Sequence, residues 1–268
     1  DYLLYQNGSL KHLTSARPEI SRKVINPVKE YNFKARDGLT IPTLITYPKD
    51  IPAKNLPAIM LPHGGPESYD KIQFGWLTQY FASQGFIVIQ PQYRGSKGFG
   101  FNHLIQGRGE WGEKMQDDLT DAVIELSKNN ILDKNKVCIV GASYGGYAAL
   151  AGAAFTPELY KCAVAINGVY DIESMLKTEK RKYGRDHWVV SYWQQVIANG
   201  KVKDDHLARI SPINHVDSII TPVLLIHGEY DKIVPISQSK DMLDEMEDAN
   251  KNVTFIELEK GDHYLSNG

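Results

Sequence analysis

Apolar positions along this chain fall into two rhythms. Short unbroken runs such as "AIML", "FIVIQ", "VCIV", "AVAIN" and "PVLLIHG" are bounded by polar or glycine-containing stretches, the pattern of strands covered on both faces. They predict strands near 57–62, 86–90, 137–141, 163–166 and 222–227, with a further one near 253–258. Two earlier segments, near 28–35 and 41–47, instead alternate apolar with polar residues across Asp37-Gly38, as an antiparallel pair would. Helical spacing appears between the runs, in "FGWLTQYFASQG", "KMQDDLTDAVIELSKNN", "YGGYAALAGAAF" and "SQSKDMLDEMED".

Strands alternating with helices predict a doubly wound, mostly parallel α/β sheet. Eight strands with an antiparallel entry fit the α/β-hydrolase fold. The first residues stand apart. "DYLLYQNGSLKHLTSARPEI" holds two short apolar runs around Asn7-Gly8, a hairpin signal, and then Pro18. The reading is therefore divided at residues 1–20, a hairpin foreign to the hydrolase sheet, and 21–268, the main domain.

Composition changes this picture little. With 268 residues the chain can bury a substantial core. A formal net charge of -2 gives no reason to expect nucleic acid or an anionic membrane as a partner. No apolar run reaches the roughly 20 residues of a membrane span, and the opening residues assign no compartment. Metal-ligand spacings such as CxxC or HExxH are absent, so no metal and no cofactor are expected. Cys138 and Cys162 each sit in an apolar strand pattern and are expected to be buried free thiols. "RGSKGFG" places glycines at 95, 98 and 100, the reverse of a dinucleotide fingerprint, with no helix expected to open on it.

The chemistry concentrates around one serine. "GASYGG" contains G-x-S-x-G from Gly141 to Gly145, with an apolar strand before it and an alanine-rich helix after it. That context predicts a tight strand-to-helix elbow lifting the Ser143 hydroxyl clear of the sheet. A serine hydroxyl needs a base and an orienting carboxylate, which in this fold follow in chain order on loops after later strands. Asp231 in "EYDKIVP" and His263 in "GDHYL" meet that order. His227 ends a strand and is expected to be a packed support. Asp262 is expected to face solvent or loop amides, and His187, His206 and His215 to lie at the surface or in a cap. An oxyanion needs fixed N–H donors; the expected ones are the amides of Tyr144 and of Gly65 in "LPHGGPES".

Taken together, "LPHGGP", "QPQYRGSKGFG", "WGEKMQDD", "GASYGGYAA", "SPINHVDSIITPVLLIHGEYDKIVP" and "GDHYLS" resemble the catalytic domain of the prolyl oligopeptidase family of serine peptidases, in its acylaminoacyl-peptidase and dipeptidyl-peptidase-like branch. The resemblance implies Ser143 as nucleophile, Asp231 as orienter, His263 as base, and Gly65 with Tyr144 as oxyanion donors. It implies short peptides as substrates, with a carboxylesterase on the same fold as the alternative. It also implies that residues 1–20 are the remnant of a hairpin joining an N-terminal β-propeller of the same chain; apolar surface that such a propeller would bury is expected to make the remaining domain prone to associate, with a homo-oligomer as one outcome. Two departures stand out. Relatives often carry Arg or Asn two residues past the catalytic Asp, where this chain has Ile233. The family also continues into a closing helix, whereas this sequence ends at Gly268. Aromatic candidates for an apolar S1 pocket are Trp188, Tyr192 and Trp193, which could equally belong to the core or an interface.

Overall fold

The computed structural model describes residues 2–15 and 17–266. In chain order, a hairpin of β1 (Tyr2–Gln6) and β2 (Ser9–Thr14) is followed by the antiparallel strands β3 (Val28–Lys34) and β4 (Thr40–Thr46). Then come β5 (Leu56–Met60), α1 (Trp76–Ser83), β6 (Ile87–Pro91), α2 (Phe101–Ile105), α3 (Lys114–Lys128) and β7 (Leu132–Ala142). The chain continues through α4 (Tyr144–Phe155), β8 (Cys162–Ile166), α5 (Ile172–Tyr183), α6 (Trp188–Ala198) and α7 (Asp204–Ile210). It closes with β9 (Val223–Gly228), α8 (Ser237–Asp248) and β10 (Val253–Leu258).

Eight strands form one sheet in the order β10-β9-β8-β7-β5-β6-β4-β3, parallel from β6 through β10 and antiparallel at β4 and β3. This is the α/β-hydrolase arrangement expected from the sequence. The unbroken apolar runs end up covered on both faces: Ala58, Met60, Ile87, Ile89, Val137, Ile139, Ala165 and Leu225 are all fully buried. Helix α4 is alanine-rich because it is packed all round, with Tyr144 to Ala154 buried. Strand order reverses between β5 and β7, and in open α/β sheets a ligand crevice opens at the carboxyl ends of strands at such a point. The segments after β5 and β7 are His63-Gly64-Gly65-Pro66 and the Ser143 elbow.

Two expectations are corrected. Cys138 and Cys162 are not free thiols: their sulfurs are bonded, with Cα atoms 4.7 Å apart, and both residues are half-buried. The reason is register, since the parallel pairing of β7 and β8 sets Cys138 directly opposite Cys162, within the Cα separation a disulfide spans. A helix does open on the glycine-rich loop, as the five-residue α2 starts straight after Gly100. The region between β8 and β9 carries α5, α6 and α7. Helix α5 buries Ile172 and Leu176, one turn apart on a single face.

The β1–β2 hairpin forms on the Asn7-Gly8 turn as expected. It is a two-stranded sheet of its own, with every strand residue exposed. Among the described residues no helix is long and apolar enough to cross a membrane.

Candidate active site

Ser143 sits between the end of β7 and the first turn of α4 with φ 58° and ψ -121°, a region that non-glycine residues rarely occupy and that costs strain. The surrounding glycines are there because no side chain fits. A Cβ on Gly141 would lie 2.2 Å from the Gly145 carbonyl oxygen, and one on Gly145 would lie 2.3 Å from the Pro62 carbonyl oxygen. The elbow is thus pressed against the strand end that leads into the His63–Pro66 loop. The Ser143 N–H donates to the Ile166 carbonyl at 2.8 Å, tying the elbow to β8 as well.

Asp231 and His263 arrive on the loops after β9 and β10, and meet: the His263 Nδ1 donates to Asp231 Oδ2 at 2.6 Å. The other carboxylate oxygen, Oδ1, accepts from the amides of Ile233 at 2.8 Å and Val234 at 2.9 Å. Burial opposes ionisation of Asp231, but the hydrogen bonds from His227, His263 and these two amides outweigh it and hold the carboxyl well below the usual carboxylate range. An ionised Asp231 fixes the His263 tautomer with its proton on Nδ1, which leaves Nε2 as an acceptor.

Ser143, His263, Gly65 and Tyr144 line one cavity of about 830 Å³. Its walls are largely apolar, including Trp111, Val169, Met175, Trp193, Ile233 and Val234. Tyr144 is the first residue of α4, so its N–H has no partner within the helix. The Gly65 backbone is at φ 129° and the bond to Pro66 is cis. Of the three aromatic candidates for the apolar wall, Trp193 lines the cavity. Trp188 is 71% exposed, and Tyr192 packs half-buried against the core.

The remaining histidines fall away from this cavity. His227 is fully buried, and its Nε2 donates to the Val234 carbonyl at 3.0 Å while its Nδ1 meets Ser239 Oγ at 2.7 Å. His187 accepts from the Val189 amide at the start of α6, His206 contacts Arg209, and His215 contacts the Arg209 carbonyl. The Asp262 carboxylate accepts from the amides of Tyr264 and Ser266.

Sequence reasoning missed the residues that hold the loops in place. Asn167, at the end of β8, donates to the carbonyls of Asp262 and His263 and accepts from the Gly228 amide. One buried amide thereby gathers the carboxyl ends of β8, β9 and β10. Tyr93 stacks on His63 at a centroid distance of 4.3 Å and donates to the His63 carbonyl at 2.8 Å, while Ser96 Oγ meets His63 Nε2 at 2.9 Å. Burial pushes His63 down to about 4, so it is a neutral strut for the loop before Gly65. Only the strand-end position of Asn167-Gly168 and the tyrosine in "QYRG" hinted at either. Among the described residues no group of three or more His, Cys, Asp or Glu is placed to hold a metal ion.

Known proteins resemble this chain over most of its length. The dipeptidyl aminopeptidase BIII of Pseudoxanthomonas mexicana is 33% identical over 260 residues, covering 93% of this chain and 37% of the relative. The acylamino-acid-releasing enzyme of Mus musculus is 26% identical over 254 residues, covering 91% of this chain and 34% of the relative. The chain thus spans little more than a third of the length of these relatives. Among solved structures, an acylaminoacyl peptidase of Pyrococcus horikoshii superposes with a TM-score of 0.84 at 23% identity, over 97% of this chain and 41% of its own. A family model described as the prolyl oligopeptidase family matches residues 72–268, and with nearly three quarters of its length so matched, the chain belongs to that family.

Proposed function

We propose that this chain is the catalytic part of a serine peptidase that cleaves short peptides through an acyl-enzyme. The observation that carries the proposal is the convergence on one cavity of a strained Ser143 and a His263 already bonded to an ionised Asp231. In this reading the His263 Nε2 takes the Ser143 proton as Oγ attacks the scissile carbonyl. The amides of Tyr144 and Gly65 receive the developing oxyanion, each worth about 10²–10³ in rate. Collapse breaks the C–N bond, the same proton passes to the leaving amine, and water repeats the sequence on the ester. Asp231 holds the ring and stabilises its cation without itself being protonated.

Peptide rather than ester hydrolysis is favoured because the relatives at hand are named as an aminopeptidase and an acylamino-acid-releasing enzyme. The same relatives, roughly three times as long, support a further domain in the natural protein, which in this reading is a preceding β-propeller. The β1–β2 hairpin, separate from the main sheet, is then its junction. Labelling of Ser143 by a fluorophosphonate, together with turnover of a peptide p-nitroanilide and its matched ester, tests the chemistry. A chain that labels and hydrolyses the ester while leaving the amide intact is a carboxylesterase. A chain that does not label is no serine hydrolase.

A further inference from the structure

A second cavity, of about 280 Å³, is walled by the segment from Pro62 to Gly75, by Thr46 and Gln90 on the neighbouring strands β4 and β6, and by Gly141 and Ala142. Two of its lining residues bring a buried oxygen that no hydrogen bond satisfies among the described residues: Thr46 Oγ1 and Asp70 Oδ2. Thr46 is fully buried. The backbone that carries the Asp70 side chain is fixed in place. Its N–H donates to Gln92 Oε1 at 3.0 Å, and Gln92 Nε2 donates to its carbonyl at 2.9 Å. Lys71 also lines the cavity, but its Nζ lies over the Tyr69 ring, 5.1 Å from the centroid, and does not pair with Asp70. Burial pushes the Asp70 carboxyl up to about 6, and the Gln90 amide beside it offsets only part of that. A sealed carboxylate oxygen beside a sealed hydroxyl costs free energy unless an occupant of the cavity meets them.

We propose that this cavity is a structural site for a monovalent alkali cation, sodium or potassium, held by Asp70 and Thr46. Charge selects the class of ion. One carboxylate balances one positive charge, and the donors beside it are neutral oxygens of the hard kind that alkali cations accept. A divalent or transition-metal ion gathers several carboxylate or imidazole ligands, and among the described residues no group of three or more His, Cys, Asp or Glu is placed to do so. The volume admits the ion together with part of its hydration, since a water molecule takes roughly 30 Å³ of liquid. Asp70 and Thr46 do not line the cavity that Ser143 lines, although Gly64 and Ala142 are common to both walls. The ion therefore touches no substrate. Bound between Asp70 and Thr46, it braces the segment that carries Gly65 against β4 and against the residues that lead into the elbow.

The test reads the braced segment directly and needs no turnover. Amide hydrogen exchange of the natural protein is followed by mass spectrometry in NaCl, in KCl and in choline chloride at one concentration. Choline supplies the ionic strength but is too large for the cavity. At least one alkali salt is expected to slow exchange in the peptides spanning Pro62 to Gly75 about tenfold relative to choline chloride. The salt with the larger effect assigns the ion. Asp70→Asn removes the charge at nearly constant shape and should abolish the slowing, while Thr46→Val, which keeps the volume, should weaken it. Peptides from α8 and β10, remote from the cavity, should exchange alike in all three salts and in both variants, which shows that the variants are folded. Should Asp70→Asn fail to fold, Thr46→Val carries the same comparison. Equal exchange in the three salts, or a slowing that survives both substitutions, overturns the proposal.

Discussion

Two regions of this molecule place a histidine against the same carboxylate oxygen, and they differ in what surrounds the ring. His263, on the loop after β10, approaches Asp231 Oδ2 at 2.6 Å, while His227, at the end of β9, approaches it at 3.5 Å. The His227 ring is sealed in the core. The Val234 carbonyl can only accept, so Nε2 carries the ring proton and Nδ1 accepts from the Ser239 hydroxyl. Both nitrogens are committed. His263 commits only Nδ1 and faces the cavity beside Ser143. Proximity to an aspartate therefore does not make a histidine a base; an uncommitted nitrogen opening on a reactant does.

The largest effects should come from breaking the cavity side of this comparison. Ser143→Ala and His263→Ala are each expected to lower kcat by about 10⁶ with the fold intact, measured by steady-state turnover beside a thermal melt. Residual turnover within tenfold of the parent in either variant would remove that residue from the chemistry. Asp231→Asn comes next, with a loss of about 10⁴ in kcat, because an amide no longer enforces the His263 tautomer.

The core side should respond in stability. His227→Ala leaves the Val234 carbonyl and the Ser239 hydroxyl without their buried partner, and is expected to cost about 3 kcal/mol in a denaturant titration. Turnover per folded molecule should fall far less than for His263→Ala. The reverse outcome, with His227→Ala silencing a folded protein and His263→Ala sparing it, would exchange the two roles.

His63 extends the comparison to a third ring, whose two nitrogens are occupied by the Gly64 carbonyl, the Tyr93 hydroxyl and Ser96. Burial holds its folded value at about 4, against about 6.5 in an unfolded chain. Between those values the unfolded state binds the extra proton. Stability should therefore be complete above about pH 6.5 and fall as pH drops toward 4. Unfolding free energies measured across that window should lose this slope in His63→Gln, and an unchanged slope would refute the assignment. The smallest effect expected is at Ile233, an exposed position on the cavity wall. Ile233→Arg would offer a substrate carbonyl a charge-assisted hydrogen bond, lowering KM about tenfold. A KM that stays or rises would mean that the substrate is anchored elsewhere.

Much of this was legible in the chain because the signals are local. The apolar runs marked the eight strands of the main sheet to within a few residues, apart from β7, which starts five residues earlier at Leu132. Helices α4 and α8 coincide with "YGGYAALAGAAF" and "SQSKDMLDEMED". The Ser143 elbow could be read because glycines flanking a serine after an apolar strand describe a backbone conformation, and backbone conformation is encoded within a few residues.

What the sequence could not encode locally was decided when distant segments met. Whether Cys138 and Cys162 pair depends on which strands are neighbours and in what register, and no property of either cysteine's own segment carries that. Asn167 matters because three strand ends converge on it, and Tyr93 because its strand delivers it beneath His63. A residue's type and neighbours set what its backbone can do. Its solvation and its partners, and with them its chemistry, are set by segments far away in the chain that only the folded sheet brings within hydrogen-bonding reach.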